Sequence, residues 1–276
     1  MYIGIDVGGT SIRIAGFTSL DYPKYDWIKI LRTQNDYDRD LAAIFDQIDS
    51  PLEGIGVGLP GCLDKDKRTL YISANLNSWV NKPIYKDFEA KFSCPVKLAN
   101  DSEAAALGEA VYGYGIGKDF LFIIWGTGIG GTAIENLGGR IHLSPLEPGR
   151  LQLTPSGPID RLGIAGSFEA YCGGANLIQR YGKQPKDLNE SQWDEVIRDF
   201  ARGLTVILNI RPVDLIVLGG GVANKQSSRI PKILELIKQT KMAVPPPQQL
   251  LLSKYGEEIG VFGALAFLGP HAPAQK

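Results

Sequence analysis

The sequence predicts an α/β protein made of two related halves, each built on its own sheet, with a ligand cleft between them. Two observations carry that expectation. Strand-like and helix-like patterns alternate along the whole chain of 276 residues, which is too long for one small core. One arrangement also occurs twice. MYIGIDVGGTSIRIAGF opens the chain, and FLFIIWGTGIGGTAIENLGG follows roughly 120 residues later, each reading as apolar strand, glycine turn, second strand.

The elements follow in order. Short apolar runs at 2–7, 12–17, 27–31, 54–58, 96–98, 120–125, 132–135, 213–218 and 250–252 read as strands. Residues 40–48 keep a helical period through Leu41, Ile44, Phe45 and Ile48. A second helix, 86–92, starts after Pro83. Asp101 or Ser102 caps a third, rich in alanine. Residues 191–209 form a long amphipathic helix with Ser191 as its cap, 229–241 another, and 260–268 a small, apolar, buried one. The Gly- and Tyr-rich stretch 108–118 is where the halves are expected to divide.

Composition removes several classes of function. The formal net charge is -1 and no basic face stands out, so nucleic acid is not an expected partner. No apolar run approaches the ~18 residues of a membrane span. The first residues read as a strand rather than a secretory leader, which points to the cytoplasm. Cys62, Cys94 and Cys172 form no CxxC pair, so neither a disulfide framework nor a thiolate zinc site is expected. Of the two histidines, His271 falls in the tail GPHAPAQK, whose composition reads as disordered. Chemistry is left to carboxylates, glycines and backbone amides.

Three glycine clusters stand at strand ends. Gly8-Gly9-Thr10 and Thr127-Gly128-Ile129-Gly130 expose consecutive backbone N–H groups, which suits an anion such as phosphate; a plain hairpin turn explains the first equally well. Neither is followed by Gly-Lys-Ser/Thr and a helix, so neither is a P-loop, and GTGIGG exits into a strand rather than the helix of a dinucleotide fingerprint. Gly219-Gly220-Gly221 ends a buried strand. It serves either a tight strand-to-helix connection or close approach to a flat ring such as adenine. In LANDSEAAALGEA, Asp101 is either a helix cap or a strand-end carboxylate able to accept a proton from a hydroxyl.

The set DVGGT, GVGLPGCLD, NLNSW, LANDSEAAALGEA, WGTGIGG, IVLGGGVA and GVFGALAF, in this order over nearly the whole chain, resembles the ROK family of bacterial sugar kinases. That family has the two-lobed, ribonuclease H-like fold of the actin, Hsp70 and hexokinase superfamily. The resemblance implies an ATP-dependent kinase for a hexose or hexose-derivative hydroxyl, with O6 the expected position. It assigns 1–107 plus 260–276 to a smaller, sugar-side lobe and 108–259 to a larger one. Asp101 is then the catalytic base, and Gly61, Asn75, Asn100, Glu147 and Glu169 surround the sugar. Gly8, Gly9 and Thr10, with Thr127, Gly128 and Gly130, form phosphate loops, and Gly219, Gly220 and Gly221 the adenosine loop. Asp6 holds the magnesium shell through water. A homodimer is usual for the family. The same family contains sugar sensors, so a catalytically silent sugar- or nucleotide-binding protein is the alternative.

The chain departs from the pattern at one place. Where many members carry a zinc-binding histidine and a cysteine run, Arg150 and the stretch IDRLGIAGS (159–167) stand here. No zinc is therefore expected. Arg150 either pairs with Asp160 or Glu147, or stands at the sugar in place of that histidine and favours an acidic or otherwise unusual sugar over glucose. The mixed charges Lys65-Asp66-Lys67-Arg68 read as an exposed turn. Trp79 and Trp193 read as packing residues.

Overall fold

The computed structural model describes every residue except Tyr22, Pro23, Ala74 and 271–276, so the expectation for the tail around His271 lies outside the described residues. The strands are β1 (Tyr2–Val7), β2 (Ser11–Phe17), β3 (Trp27–Arg32), β4 (Gly54–Leu59), β5 (Cys62–Leu63), β6 (Leu70–Ile72), β7 (Val96–Asn100), β8 (Phe120–Trp125), β9 (Ile129–Leu137), β10 (Arg140–Leu146), β11 (Leu215–Gly219) and β12 (Gln249–Leu252). The α-helices are α1 (Tyr37–Phe45), α2 (Ile84–Phe92), α3 (Asp101–Tyr112), α4 (Phe168–Cys172), α5 (Gly174–Tyr181), α6 (Glu190–Ile210), α7 (Gly221–Lys225), α8 (Ile230–Gln239) and α9 (Ile259–Ala266). No described helix is long and apolar enough to cross a membrane.

The chain divides into two compact units. The first comprises 1–116, 137–143 and 258–276, and the second 117–136 and 144–257. There are two five-stranded sheets of the same design, in the orders β3-β2-β1-β4-β7 and β10-β9-β8-β11-β12. In the first, β1 runs antiparallel to β2 and parallel to β4, which is parallel to β7. In the second, β8 runs antiparallel to β9 and parallel to β11, which is parallel to β12. The internal repeat seen in the sequence is thus a repeat of topology. β10, which no strand-like run marked, is the counterpart of β3; its residues are mostly not buried, so it lacks the apolar run that identifies a strand.

Each unit has its own core. In the first, Ile3, Ile5, Ile12, Ile14, Val57 and Leu98 pack with Phe88 and Trp79. In the second, Leu121, Ile123 and Trp125 pack with Phe200, Leu204 and Trp193, and the Trp125 and Phe200 rings stack at 4.0 Å. Both tryptophans singled out in the sequence are therefore packing residues. All three cysteines are free thiols.

Two helix caps differ from the sequence expectation. Asn100, not Asp101 or Ser102, caps α3. Asn189, not Ser191, caps α6 in a reciprocal pair with Gln192. In both cases an asparagine one or two residues earlier competes for the same N–H groups, and asparagine is at least as good a cap as serine.

Helix α9, whose eight residues are all buried, covers the first sheet at β1 and β4. It approaches β1, β4 and α3 so closely that only glycine fits at the crossings. A Cβ on Gly263 would strike the Ala104 carbonyl, one on Gly56 the Ala264 carbonyl, and one on Gly108 would lie 2.9 Å from the Gly263 nitrogen. These neighbours are backbone and cannot rotate away. Gly263→Val is expected to destabilise the protein by about 3 kcal/mol, read as a lower urea midpoint at unchanged slope.

Candidate active site

In the first unit, parallel pairing sets Asp6 beside Gly58, Gly58 beside Ala99, and Leu59 beside Asn100. The ends of β1, β4 and β7 thus deliver their loops to one sheet edge. The turn after β1 is tight: the Gly8 N–H donates to the Ser11 carbonyl at 2.9 Å, and Thr33 donates through Oγ1 to the Gly8 carbonyl at 2.6 Å and through its backbone N–H to the Thr10 carbonyl at 3.1 Å. Gly9 and Thr10 are exposed, and no described residue accepts their N–H groups. A Cβ on Gly9 would sit 2.9 Å from the Asn75 Cβ, so Asn75 lies against this turn. Asn75 follows Ser73, whose Cα would be 3.0 Å from a Cβ on Gly61.

Gly61 leads to Asn100. The Asn100 Nδ2 donates to the Gly61 carbonyl at 2.8 Å. Its Oδ1 accepts from Ser102 N at 2.9 Å, Ser102 Oγ at 2.6 Å and Glu103 N at 3.3 Å. Glu103 returns the favour, accepting from Asn100 N at 3.4 Å. This is a capping box, and it gives Asn100 a structural duty that the sequence pattern Asn-x-x-Glu announces. Asp101 is the first helical residue, and its Oδ1 also accepts from Ser102 N at 2.8 Å. Gly9, Asn75, Gly61, Asn100 and Asp101 therefore form one connected strip, with Asp6 two strands away on the same edge.

In the second unit the corresponding edge joins two glycine clusters. The Gly126 N–H donates to the Gly128 carbonyl at 3.0 Å, and the Gly126 and Thr127 carbonyls accept from Gly174 N and Ala175 N at 2.9 Å each. The N–H groups of Thr127 and Gly128 have no described acceptor. Gly220, with φ +96°, would place a Cβ 2.6 Å from the Trp125 carbonyl, so the third cluster lies directly against the second. Not every glycine serves the turn. Gly130 lies within β9, paired with Ile124, and Gly219 is the last residue of β11, where a side chain would strike the Phe122 ring.

Around this turn sits a carboxylate cluster. Glu169 is buried; its Oε2 accepts from Ile129 N at 2.9 Å, and its Oε1 lies 3.2 Å from Arg150 Nη1. The same Nη1 donates to Asp160 Oδ2 at 2.9 Å. Asp160 is buried, and burial alone would raise its pKa. The Ile164 N–H, the Ser167 hydroxyl, the Leu162 N–H and Arg150 outweigh that and hold its carboxyl below the usual range. The Arg150–Asp160 pair expected from the sequence is present; its second partner is Glu169, not Glu147. Glu147 is exposed just before the turn 148–150. Among the described residues, no partner engages Arg150 Nε or Nη2.

The ROK family profile matches residues 2–269. The chain belongs to the ROK family. Among relatives, the glucokinase of Streptomyces coelicolor (strain ATCC BAA-471 / A3(2) / M145) is 32% identical over 194 residues, 66% of this chain and 59% of that protein. The N-acetyl-D-glucosamine kinase of Escherichia coli O127:H6 is 30% identical over 310 residues, covering 97% of this chain and 99% of that protein. The ROK hexokinase from Thermus thermophilus superposes with a TM-score of 0.78 at 26% identity, over 96% of each chain. As a ROK protein the chain has the actin, Hsp70 and hexokinase-like fold.

Asp6 is a charged side chain near the end of β1. Its carboxylate is wedged between Gly58 and Gly260, close enough that a Cβ on Gly260 would lie 2.5 Å from Oδ2. No described residue gives it a hydrogen bond or ion pair. Burial raises its pKa from 3.8 to about 6, with Arg13 pulling the other way. A carboxylate with a pKa raised on folding costs nothing below pH 3.8, costs more as pH rises to about 6, and keeps the full cost above it. That gap corresponds to about 3 kcal/mol. Asp6→Asn is therefore expected to stabilise the ligand-free protein by up to about 3 kcal/mol at pH 8 and to leave it nearly unchanged at pH 4, read from urea midpoints at the two pH values.

Proposed function

We propose that this chain transfers the γ-phosphoryl group of ATP to a hydroxyl, O6, of a hexose or hexose derivative, with Asp101 as general base. The observation that carries the reading is the strip at the end of β7. Asn100 takes over the capping of α3, so Asp101 stands at a strand end without being the helix's cap. Family membership and kinase relatives acting on glucose and N-acetyl-D-glucosamine support the substrate class.

The chemistry asks mainly for positioning and charge compensation. The Asp101 carboxylate accepts the proton of the attacking hydroxyl as its oxygen bonds to the γ-phosphorus. The bond from that phosphorus to the bridging oxygen breaks, and ADP leaves with the electron pair. The unclaimed N–H groups of Gly9, Thr10, Thr127 and Gly128 are suited to phosphate oxygens. Asp6 fits a magnesium ion, held through water, which when bound offsets phosphate charge. The Gly220–Gly221 backbone serves the adenosine side.

On the sugar side the groups differ in what they have left to give. Glu147 is exposed and open to hydroxyls. Arg150 has Nε and Nη2 to offer. Asn100 keeps one amide hydrogen, and Gly61 and Asn75 shape the edge. Glu169 serves chiefly as an internal brace, since both its oxygens are engaged. Arg150 is already matched by two carboxylates, which favours a neutral sugar over an acidic one.

The test is ADP release from Mg-ATP across neutral hexoses, N-acetylhexosamines and acidic sugars. Sugar-dependent turnover is expected, and Asp101→Asn is expected to lower kcat by about a thousandfold with little change in nucleotide binding. Nucleotide binding without turnover on any sugar would instead favour a silent binding protein.

A further inference from the structure

Lys67 sits in the charged turn between β5 and β6 that the sequence presents as solvent-exposed. Its neighbours Lys65, Asp66 and Arg68 are exposed, but Lys67 is not. Its backbone is left-handed, φ +52°, and its Nζ lies 2.9 Å from Glu103 Oε2, with side chains 30% and 11% exposed. The same ammonium sits 5.8 Å from the centre of the Phe267 ring.

Glu103 is the residue that closes the capping box on Asn100, next to Asp101. The hairpin that carries Lys67 also begins at Gly61, whose carbonyl is held by Asn100 Nδ2. One segment, 61–73, is therefore fastened at two points to the first turn of α3: through Gly61 to Asn100, and through Lys67 to Glu103. The Asp64 carboxylate stiffens the turn between them, accepting from Arg68 N at 2.6 Å and Thr69 N at 3.1 Å. A loop that merely connected two strands would not place its one half-buried lysine on a buried carboxylate of another element.

We infer that Lys67 is a positioning residue for Asp101, pairing with Glu103 to hold the start of α3 and to balance the negative charge beside the base. The inference rests on the assignment of Asp101 above. It gives Lys67 two duties, one mechanical and one electrostatic, and the electrostatic one has a sign. Without Lys67, the Glu103 carboxylate stands uncompensated two residues from Asp101 and disfavours its ionisation. Without the Glu103 charge, Lys67 stands uncompensated and favours it. The other charged groups on the hairpin and the neighbouring elements are Asp64, Lys65, Asp66 and Arg68 on the hairpin, Asp6 on β1, Lys97 on β7, Glu109 further along α3 and Glu258 before α9. None is altered by the substitutions below.

The experiment is the pH dependence of kcat/KM for the best sugar, in Lys67→Met, Lys67→Arg, Glu103→Gln and the double variant Lys67→Met/Glu103→Gln. Glutamine keeps the capping box. The acid limb is expected to move up by about half a unit to one unit in Lys67→Met and down in Glu103→Gln. It is expected to return to the wild-type position in the double variant and in Lys67→Arg. A purely mechanical role would lower kcat or stability in Lys67→Met without opposite movements of the limb. If Lys67→Met fails to fold, the downward movement in Glu103→Gln decides the matter. An immobile limb in both single variants overturns the proposal. Asp101→Asn separates the two levels: retained activity there overturns the base assignment and the proposal with it, whereas lost activity with an immobile limb overturns the proposal alone.

Discussion

The register of three parallel strands, β1, β4 and β7, is the constraint on which the first unit's chemistry depends. Because Asp6 pairs with Gly58 and Leu59 with Asn100, every chain reversal at that end must open onto one edge. A slip of one residue would turn Asp6 to the opposite face and bury the strand-end amide in the sheet. The second unit repeats the arrangement with β8, β11 and β12, so the turn 126–128 and the Gly220 backbone meet without either being specialised to find the other.

What fills these edges is economical in side chains. A single asparagine caps a helix and pins a neighbouring loop. A single arginine nitrogen bridges two carboxylates, and one of those carboxylates fixes the exit of a glycine turn through Ile129 N. The loop 157–167 is organised in the same way. Asp160 gathers two backbone N–H groups, a serine hydroxyl and Arg150, so four donors converge on one buried carboxylate within a stretch that holds no thiolate.

Much of this was legible in the sequence. Apolar runs bounded by glycine gave most strands their places, and the repeated strand–glycine–strand grammar announced the repeated sheet. The failures have physical causes. β10 is half solvent-facing and shows no apolar run. The caps of α3 and α6 were misplaced because neighbouring Asn, Asp and Ser residues all suit the position, and the choice is made by which side chain reaches the third N–H. Gly130 and Gly219 looked like members of loops because glycine marks both a turn and a tight packing contact; only the neighbouring Ile124 and Phe122 tell them apart. Lys67 gave no signal at all, since its partner is 36 residues away and the link passes through a left-handed turn residue.

α9 bears on how the chain is made. It is the element that closes the first sheet, lying on β1 and β4, yet it follows the whole of the second unit in chain order. During synthesis the opening strands leave the ribosome long before their cover exists, and the second unit is complete in between. The second unit can therefore close as an inserted body while the first waits with an apolar face unmet. Premature termination near residue 258 would leave the later-made half whole and the earlier-made half open.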